Sequence, residues 1–153
     1  MNKLIFSKSK NLRLNNIVYT KCSFDEIGQG DLIVDKLENI LKVKGALSVG
    51  PLIQHTYFTN EEEPIKIDFM LQSNTYINKL DEPFKKKSVI RMNDCMYCRY
   101  IGPEENQSIG YDKIKVEAFE NDIELTGNTY TIYVDSNEED GTVVIDIFME
   151  KKV

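Results

Sequence analysis

Tryptophan is absent from the chain, histidine occurs once, and cysteine occurs three times in 153 residues. A small, odd number of cysteines does not build a disulfide scaffold and fits a reducing compartment. Cys95-Met96-Tyr97-Cys98 has C-x-x-C spacing. On a strand, residues three apart point to opposite faces, so these sulfurs cannot share an ion, and a redox pair needs a helix N-terminus to acidify its thiol. Only Cys22 and His55 remain to complete a tetrahedral set, so no metal is expected. His55 has no nearby serine or cysteine to form a recognisable nucleophile pair and reads as a satisfied strand histidine. Phosphate loops and dinucleotide fingerprints are missing, so no cofactor is expected. No apolar run is long enough for an export signal or a membrane span: Met1–Phe6 is followed at once by Ser7-Lys8-Ser9-Lys10. A cytoplasmic protein without a membrane partner is expected. The net charge of −6 sets the chain against phosphate, which argues against nucleic acid as a partner. Alanine is confined to Ala46 and Ala118 while lysine, asparagine and isoleucine abound, the codon usage of an AT-rich bacterial genome.

What the chain does have is repetition. Val18-Tyr19-Thr20-Lys21 returns as Met96-Tyr97-Cys98-Arg99, and Pro64–Met70 returns as Thr142–Phe148. Tyr19 to Tyr97 and Asp68 to Asp146 are both 78 residues apart, an even offset that keeps strand residues in phase. This pattern predicts two copies of one supersecondary unit. Hydrophobic residues make up 41% and charged residues 29%, enough apolar content to bury a core. The expected class is α+β: two tandem β-α-β-β repeats forming one antiparallel-rich sheet with both helices on one face. Repeat one spans about residues 12–72, a connector about 73–93, and repeat two about 94–153, all in a single domain.

In the first unit, Asn16–Phe24 reads as a strand and a loop with Gly28 and Gly30 follows. Asp31 is the expected N-cap of a helix whose apolar stripe is Leu32, Ile33, Leu37, Ile40 and Leu41, closed by Gly45. Gly50-Pro51 reads as a turn, Leu52–Phe58 as a strand, Asn60–Pro64 as an acidic loop, and Ile65–Gln72 as a third strand. In the second unit the strands are Cys95–Ile101, Thr129–Val134 and Val143–Glu150, with an acidic turn at Asn137–Gly141. Its helix follows Gly110 with the stripe Tyr111, Ile114, Ala118 and Phe119. Lys85-Lys86-Lys87 in the connector reads as a solvated run.

The third strand of each unit alternates. Ile65, Ile67, Phe69 and Leu71, like Val143, Ile145, Ile147 and Met149, are expected to face the helices. The opposite face then carries Asp68, Met70, Asp146 and Phe148, with Tyr19, Tyr57, Tyr97 and Tyr133 as candidates to line it. Carboxylates among aromatics suit a lipophilic cation, and methionine with aromatics also suits a protein partner. A face covered by loops, with exposed strand carboxylates and core tyrosines, is the plain alternative. Asp68 and Asp146 set close together would raise one pKa and allow acid–base work.

Tyr100-Ile101-Gly102-Pro103-Glu104, the closing Val144-Ile145-Asp146-Ile147 and the two-unit pattern resemble the GyrI-like domain. That resemblance implies the fold above and a role like that of effector-binding halves of multidrug-sensing regulators or of stand-alone gyrase inhibitors. Some such domains hydrolyse small molecules, which leaves open a hydrolase using Asp68, Asp146 and Tyr97. Asn16-Ile17-Val18, Lys44-Gly45 and Val49-Gly50-Pro51-Leu52 resemble a Gram-positive stand-alone family associated with LXG toxins of type VII secretion. The chain lacks the tryptophans that wall the pocket of GyrI-like drug sensors. The leading expectation is therefore a non-catalytic accessory protein. It would hold a partner such as an LXG toxin along a groove at Met70 and Phe148, with the acidic segments Glu61-Glu62-Glu63 and Glu138-Glu139-Asp140 steering it. The alternative is a stand-alone binder or sensor of small amphipathic cations.

Overall fold

The computed structural model describes residues 2–22, 30–59 and 65–153. The loop around Gly28, the Ser23-Phe24 end of the first expected strand and the Asn60–Pro64 acidic loop lie outside the described residues. The elements run β1 (Lys3–Cys22), α1 (Gly30–Val43), β2 (Ser48–Phe58), β3 (Ile65–Ser73), β4 (Lys85–Pro103), a 3-10 turn (Glu104–Asn106), α2 (Ser108–Glu120), β5 (Leu125–Asn137) and β6 (Thr142–Lys151). The class is α+β, with antiparallel strand pairs and two helices. Two compact units divide the chain, one of Arg13–Arg91 and one of Met1–Leu12 with Met92–Val153. The division falls inside β1 and β4, which are longer than the alternation around Tyr19 and Tyr97 alone predicts.

In the Arg13–Arg91 unit, β3 is the central strand between β1 and β2. Ile33, Leu37 and Leu41 of α1 pack on Val18, Cys22, Ile67, Phe69 and Leu71. The odd positions of β3 thus face the helix, because their neighbours on the pleat alternate away from it. Each fully buried aliphatic side chain in such a layer contributes about 1.5–3 kcal/mol. Gly45 ends α1 at φ +74°, with its N–H on the Lys42 carbonyl (3.0 Å) and the Ala46 N–H on that of Leu41 (2.8 Å). This is the paired-bond stop that glycine allows. Asp31 lies inside the first turn of α1, two residues later than a cap, where its charge favours the helix dipole.

Two expectations about this unit are corrected. Gly50-Pro51 is not a turn between elements but part of β2: Gly50 sits at φ +83° and the β2–β3 register shifts between Val49 and Ile53. Proline cannot donate to the ladder, and a bulge is how a strand absorbs it. Nor is Lys85–Lys87 a solvated linker. It opens β4, and Lys86 Nζ donates to the carbonyls of Ile77 and Asn78 (both 2.6 Å) and to Tyr76 Oη (3.0 Å). One ammonium there satisfies two carbonyls from outside the strands.

In the other unit, β6 is central between β4 and β5. Ile114 and Ala118 of α2 pack on Met96, Cys98, Tyr100, Val143, Ile145, Ile147 and Met149. Gly110 lies within α2, not before it. A Cβ added there would come within 2.8 Å of Ile147 Cδ1 and 3.1 Å of Tyr100 Cβ, so glycine lets helix and sheet approach. Phe119 leaves the expected stripe and is 85% exposed, because one residue beyond Ala118 turns about 100° round the helix. The acidic turn is as expected, closed by Gly141 at φ +71°.

Candidate functional site

Antiparallel register decides which side chains meet, since residues directly opposite share a face. In the Arg13–Arg91 unit, Lys21 and His55 flank Asp68 from β1 and β2. Tyr19 and Ile53 flank Met70, and Tyr57 lies opposite Lys66. Four candidate residues, Tyr19, Tyr57, Asp68 and Met70, therefore share the face turned away from α1. Asp68 is buried and Met70 is fully buried, while Tyr19 and Tyr57 are half-buried.

Asp68 is poorly satisfied. Its Oδ2 lies 3.8 Å from His55 Nδ1, too far for a hydrogen bond, and its buried Oδ1 has no hydrogen-bond partner among the described residues. A desolvated carboxylate left in that condition is costly. The His55 ring stacks on Tyr57 with centroids 4.7 Å apart and planes 24° from parallel. Burial, and then the negative charge of Asp68, raises the Tyr19 pKa. Lys87 Nζ stands 5.5 Å over the Tyr19 ring.

The equivalent face of the other unit is built differently. Arg99 and Ile132 flank Asp146, and Tyr97 and Tyr130 flank Phe148. Arg99 donates from Nε to Asp146 Oδ1 (2.7 Å) and from Nη2 to Oδ2 (2.8 Å), and Tyr97 Oη donates to Oδ1 (2.7 Å). Burial alone would raise the Asp146 carboxyl, but the bonds from Arg99 and Tyr97 outweigh it and hold it below its ordinary value. Burial, aided by Asp146, pushes the Tyr97 phenol up to about 12. Tyr97 packs on Phe148 at 5.0 Å, and Lys10 Nζ caps its ring at 4.0 Å. Each charge here has a short partner.

Tyr133 is the candidate that departs. It lies opposite Ile145 and joins the α2 side of the sheet, where Tyr111 shares a hydroxyl contact with Thr131. The cause is plain alternation: Tyr133 continues the register of Thr131 opposite Ile147 and Ile132 opposite Asp146, so it stands on the same side as Thr131 and not on the Asp146 face. Asp68 and Asp146 each have their own partners within their own unit. His55, Arg99 and Lys10 carry the electrostatics without having been candidates. The fixed 78-residue offset pairs Lys21 with Arg99, which was the available signal for Arg99. Burial, joined by the charges of Glu150 and Asp94, pushes the Cys95 thiol up to about 11, the opposite of a redox thiol. Among the described residues there is no cluster of three or more metal-ligating side chains, and no helix is long and apolar enough to cross a membrane.

No family model matches the chain, and no curated protein matches it. Solved structures do. The EcmrR C-terminal domain superposes with a TM-score of 0.68 at 15% identity, covering 97% of this chain and 98% of that one. EcmrR in a DNA complex matches with a TM-score of 0.69 at 14% identity over 99% of this chain, which spans 57% of the EcmrR chain. A hydrolase from Listeria innocua matches with a TM-score of 0.52 at 11% identity, covering 97% and 91%. At these identities the likeness is one of fold, and it agrees with the GyrI-like effector-binding fold that the sequence resembles.

Proposed function

We propose that this chain is a GyrI-like small-molecule-binding domain, and that the Asp68 face of the Arg13–Arg91 unit receives the charged centre of an amphipathic cation. The observation that carries the reading is Asp68 itself, a buried carboxylate beside half-buried tyrosines, whose Oδ1 accepts no hydrogen bond among the described residues. Buried polar atoms are nearly always satisfied, so an exception calls for a partner, and in this reading the partner is a ligand cation. A cation at Oδ1 would complete the carboxylate, with the faces of Tyr19 and Tyr57 adding cation–π attraction. In this reading the two units are copies of one motif. One copy has kept its carboxylate for binding and the other has locked it with Arg99. The domain binds without turning its ligand over, as no activated nucleophile stands beside either carboxylate among the described residues.

A protein partner such as an LXG toxin has less support. Met70 is 0% and Phe148 5% exposed, so neither offers an apolar stripe to a docking helix. The test is thermal denaturation against a panel of lipophilic cations that includes tetraphenylphosphonium. A ligand at a hundred times its Kd adds about 2.7 kcal/mol, a rise of about 5–10 °C for a chain of this size. No rise with any member of the panel contradicts the reading.

A further inference from the structure

Asp68 and Asp146 each stand directly opposite a basic residue of the neighbouring strand, Lys21 in one unit and Arg99 in the other. Arg99 gives its charge to Asp146 through bonds of 2.7 and 2.8 Å. Lys21 does not follow. It is exposed, and among the described residues its ammonium pairs with no acid, Asp68 included. The same two charges are thus joined in one unit and kept apart in the other, with the carboxylate buried and the ammonium in water.

A second ammonium stands on the Asp68 face. Lys86 turns to the carbonyls of Ile77 and Asn78, and successive residues of a strand point to opposite sides, so Lys87 points away from them. Its Nζ lies 5.5 Å over the Tyr19 ring, near the outer limit of about 6 Å for attraction between a cation and a ring. Lys87 is exposed and makes no hydrogen bond or ion pair among the described residues. Lys10, by contrast, sits on Tyr97 at 4.0 Å, beside a carboxylate that Arg99 already satisfies.

A simple cation seated at Asp68 meets two like charges, Lys21 and Lys87. A molecule that carries an anion close to its cation meets the reverse: a buried carboxylate for one end and two ammoniums for the other. Complementary charge rewards the second and like charge penalises the first. We propose that the ligand is zwitterionic, with a weakly hydrated aromatic or quaternary cation at Asp68 and Tyr19 and a carboxylate or similar anion held by Lys21 and Lys87. This rests on the Asp68 reading above and narrows its ligand class. Tyr19 and Lys21 are two apart on one strand face, so the ligand's charges are set about 7 Å apart. Lysine suits the task, since its flexible stem lets the Lys87 ammonium leave the Tyr19 ring and follow the anion.

The test compares two probes that share a cation, butyltriphenylphosphonium and carboxypropyl-triphenylphosphonium, titrated by calorimetry at pH 8 and fixed salt. The parent should bind the carboxylate-bearing probe at least about threefold tighter, the scale of an exposed charge pair. Added salt should shrink that ratio. Lys21→Met and Lys87→Met should each reduce it, and the double variant should bring it to one or below. Lys10→Met removes the same charge from the other unit and should keep the parent ratio. Asp68→Asn should weaken both probes. Equal affinities in the parent, a preference for the butyl probe, or a ratio that Lys10→Met lowers as far as Lys21→Met does overturns the zwitterion and leaves the Asp68 site standing. Absence of binding by both probes overturns both.

Discussion

Asp68 and Asp146 occupy matching points on the central strands of the two units, and their surroundings could hardly differ more. Asp146 takes three hydrogen bonds of 2.7–2.8 Å from Arg99 and Tyr97. Asp68 faces one histidine at 3.8 Å, and its buried Oδ1 accepts no hydrogen bond among the described residues. Burial alone does not tell a structural carboxylate from a functional one. Saturation does, because a carboxylate with every lone pair engaged has nothing left to offer a ligand. A mutation at the Asp146 cluster should therefore read out in stability, and one at Asp68 in binding.

The largest expected effect is at Arg99. Arg99→Met strands the Asp146 charge, and breaking a buried pair costs about 3–5 kcal/mol, reduced here to about 2–3 because the guanidinium is 35% exposed. Lys21→Met, at the equivalent position, should change stability by less than about 0.5 kcal/mol, since Lys21 is exposed and makes no such pair among the described residues. Urea unfolding of the two variants makes the comparison. Equal losses would break it.

Tyr97→Phe comes next, with an expected loss of about 1.5 kcal/mol for one hydrogen bond to a charged group. Its pH signature has a definite sign. The folded phenol titrates at about 12 and an unfolded one at about 10, so its stabilisation is full below about pH 10 and fades as pH rises towards 12. The Tyr97→Phe variant should lack that alkaline loss. The Asp146 carboxyl is lowered on folding, so its contribution is present above the ordinary carboxylate range and disappears as pH falls through its folded value. Arg99→Met should flatten this acid limb. Stability curves from acid to alkali, spanning both transitions, check both signs.

The smallest expected effect on stability is at Asp68. Asp68→Asn removes a desolvated charge that has no hydrogen-bonded cation among the described residues, so stability should stay within about 1 kcal/mol of the parent or rise. A loss comparable to that of Arg99→Met would mean that Asp68 is structural too.

The paired segments around Tyr19 and Tyr97, and the alternation from Ile65 and Val143, made the helix-facing layer legible from sequence. Period-two patterning fixes which strand face is apolar wherever a helix covers it. Gly45 and Gly141 were readable because each is needed at positive φ. The first half of β1 and the opening of β4 were not, since Lys3–Asn11 and Lys85–Arg91 carry charges that composition assigns to solvent. At the site, register was the hidden variable. Which side chain stands opposite each aspartate depends on cross-strand pairing, which the local sequence does not mark, whereas Tyr133 follows from alternation with Thr131. His55 looked like a satisfied strand residue because the carboxylate it faces, Asp68, is on another strand.

The most direct test of the division of labour is calorimetric titration of tetraphenylphosphonium into the parent, Asp68→Asn and Asp146→Asn proteins at pH 8, all verified as folded. Asp68→Asn should weaken binding by at least about tenfold, or about 1.4 kcal/mol, while Asp146→Asn binds like the parent despite its lower stability. Undiminished binding by Asp68→Asn, or a loss confined to Asp146→Asn, would contradict the account.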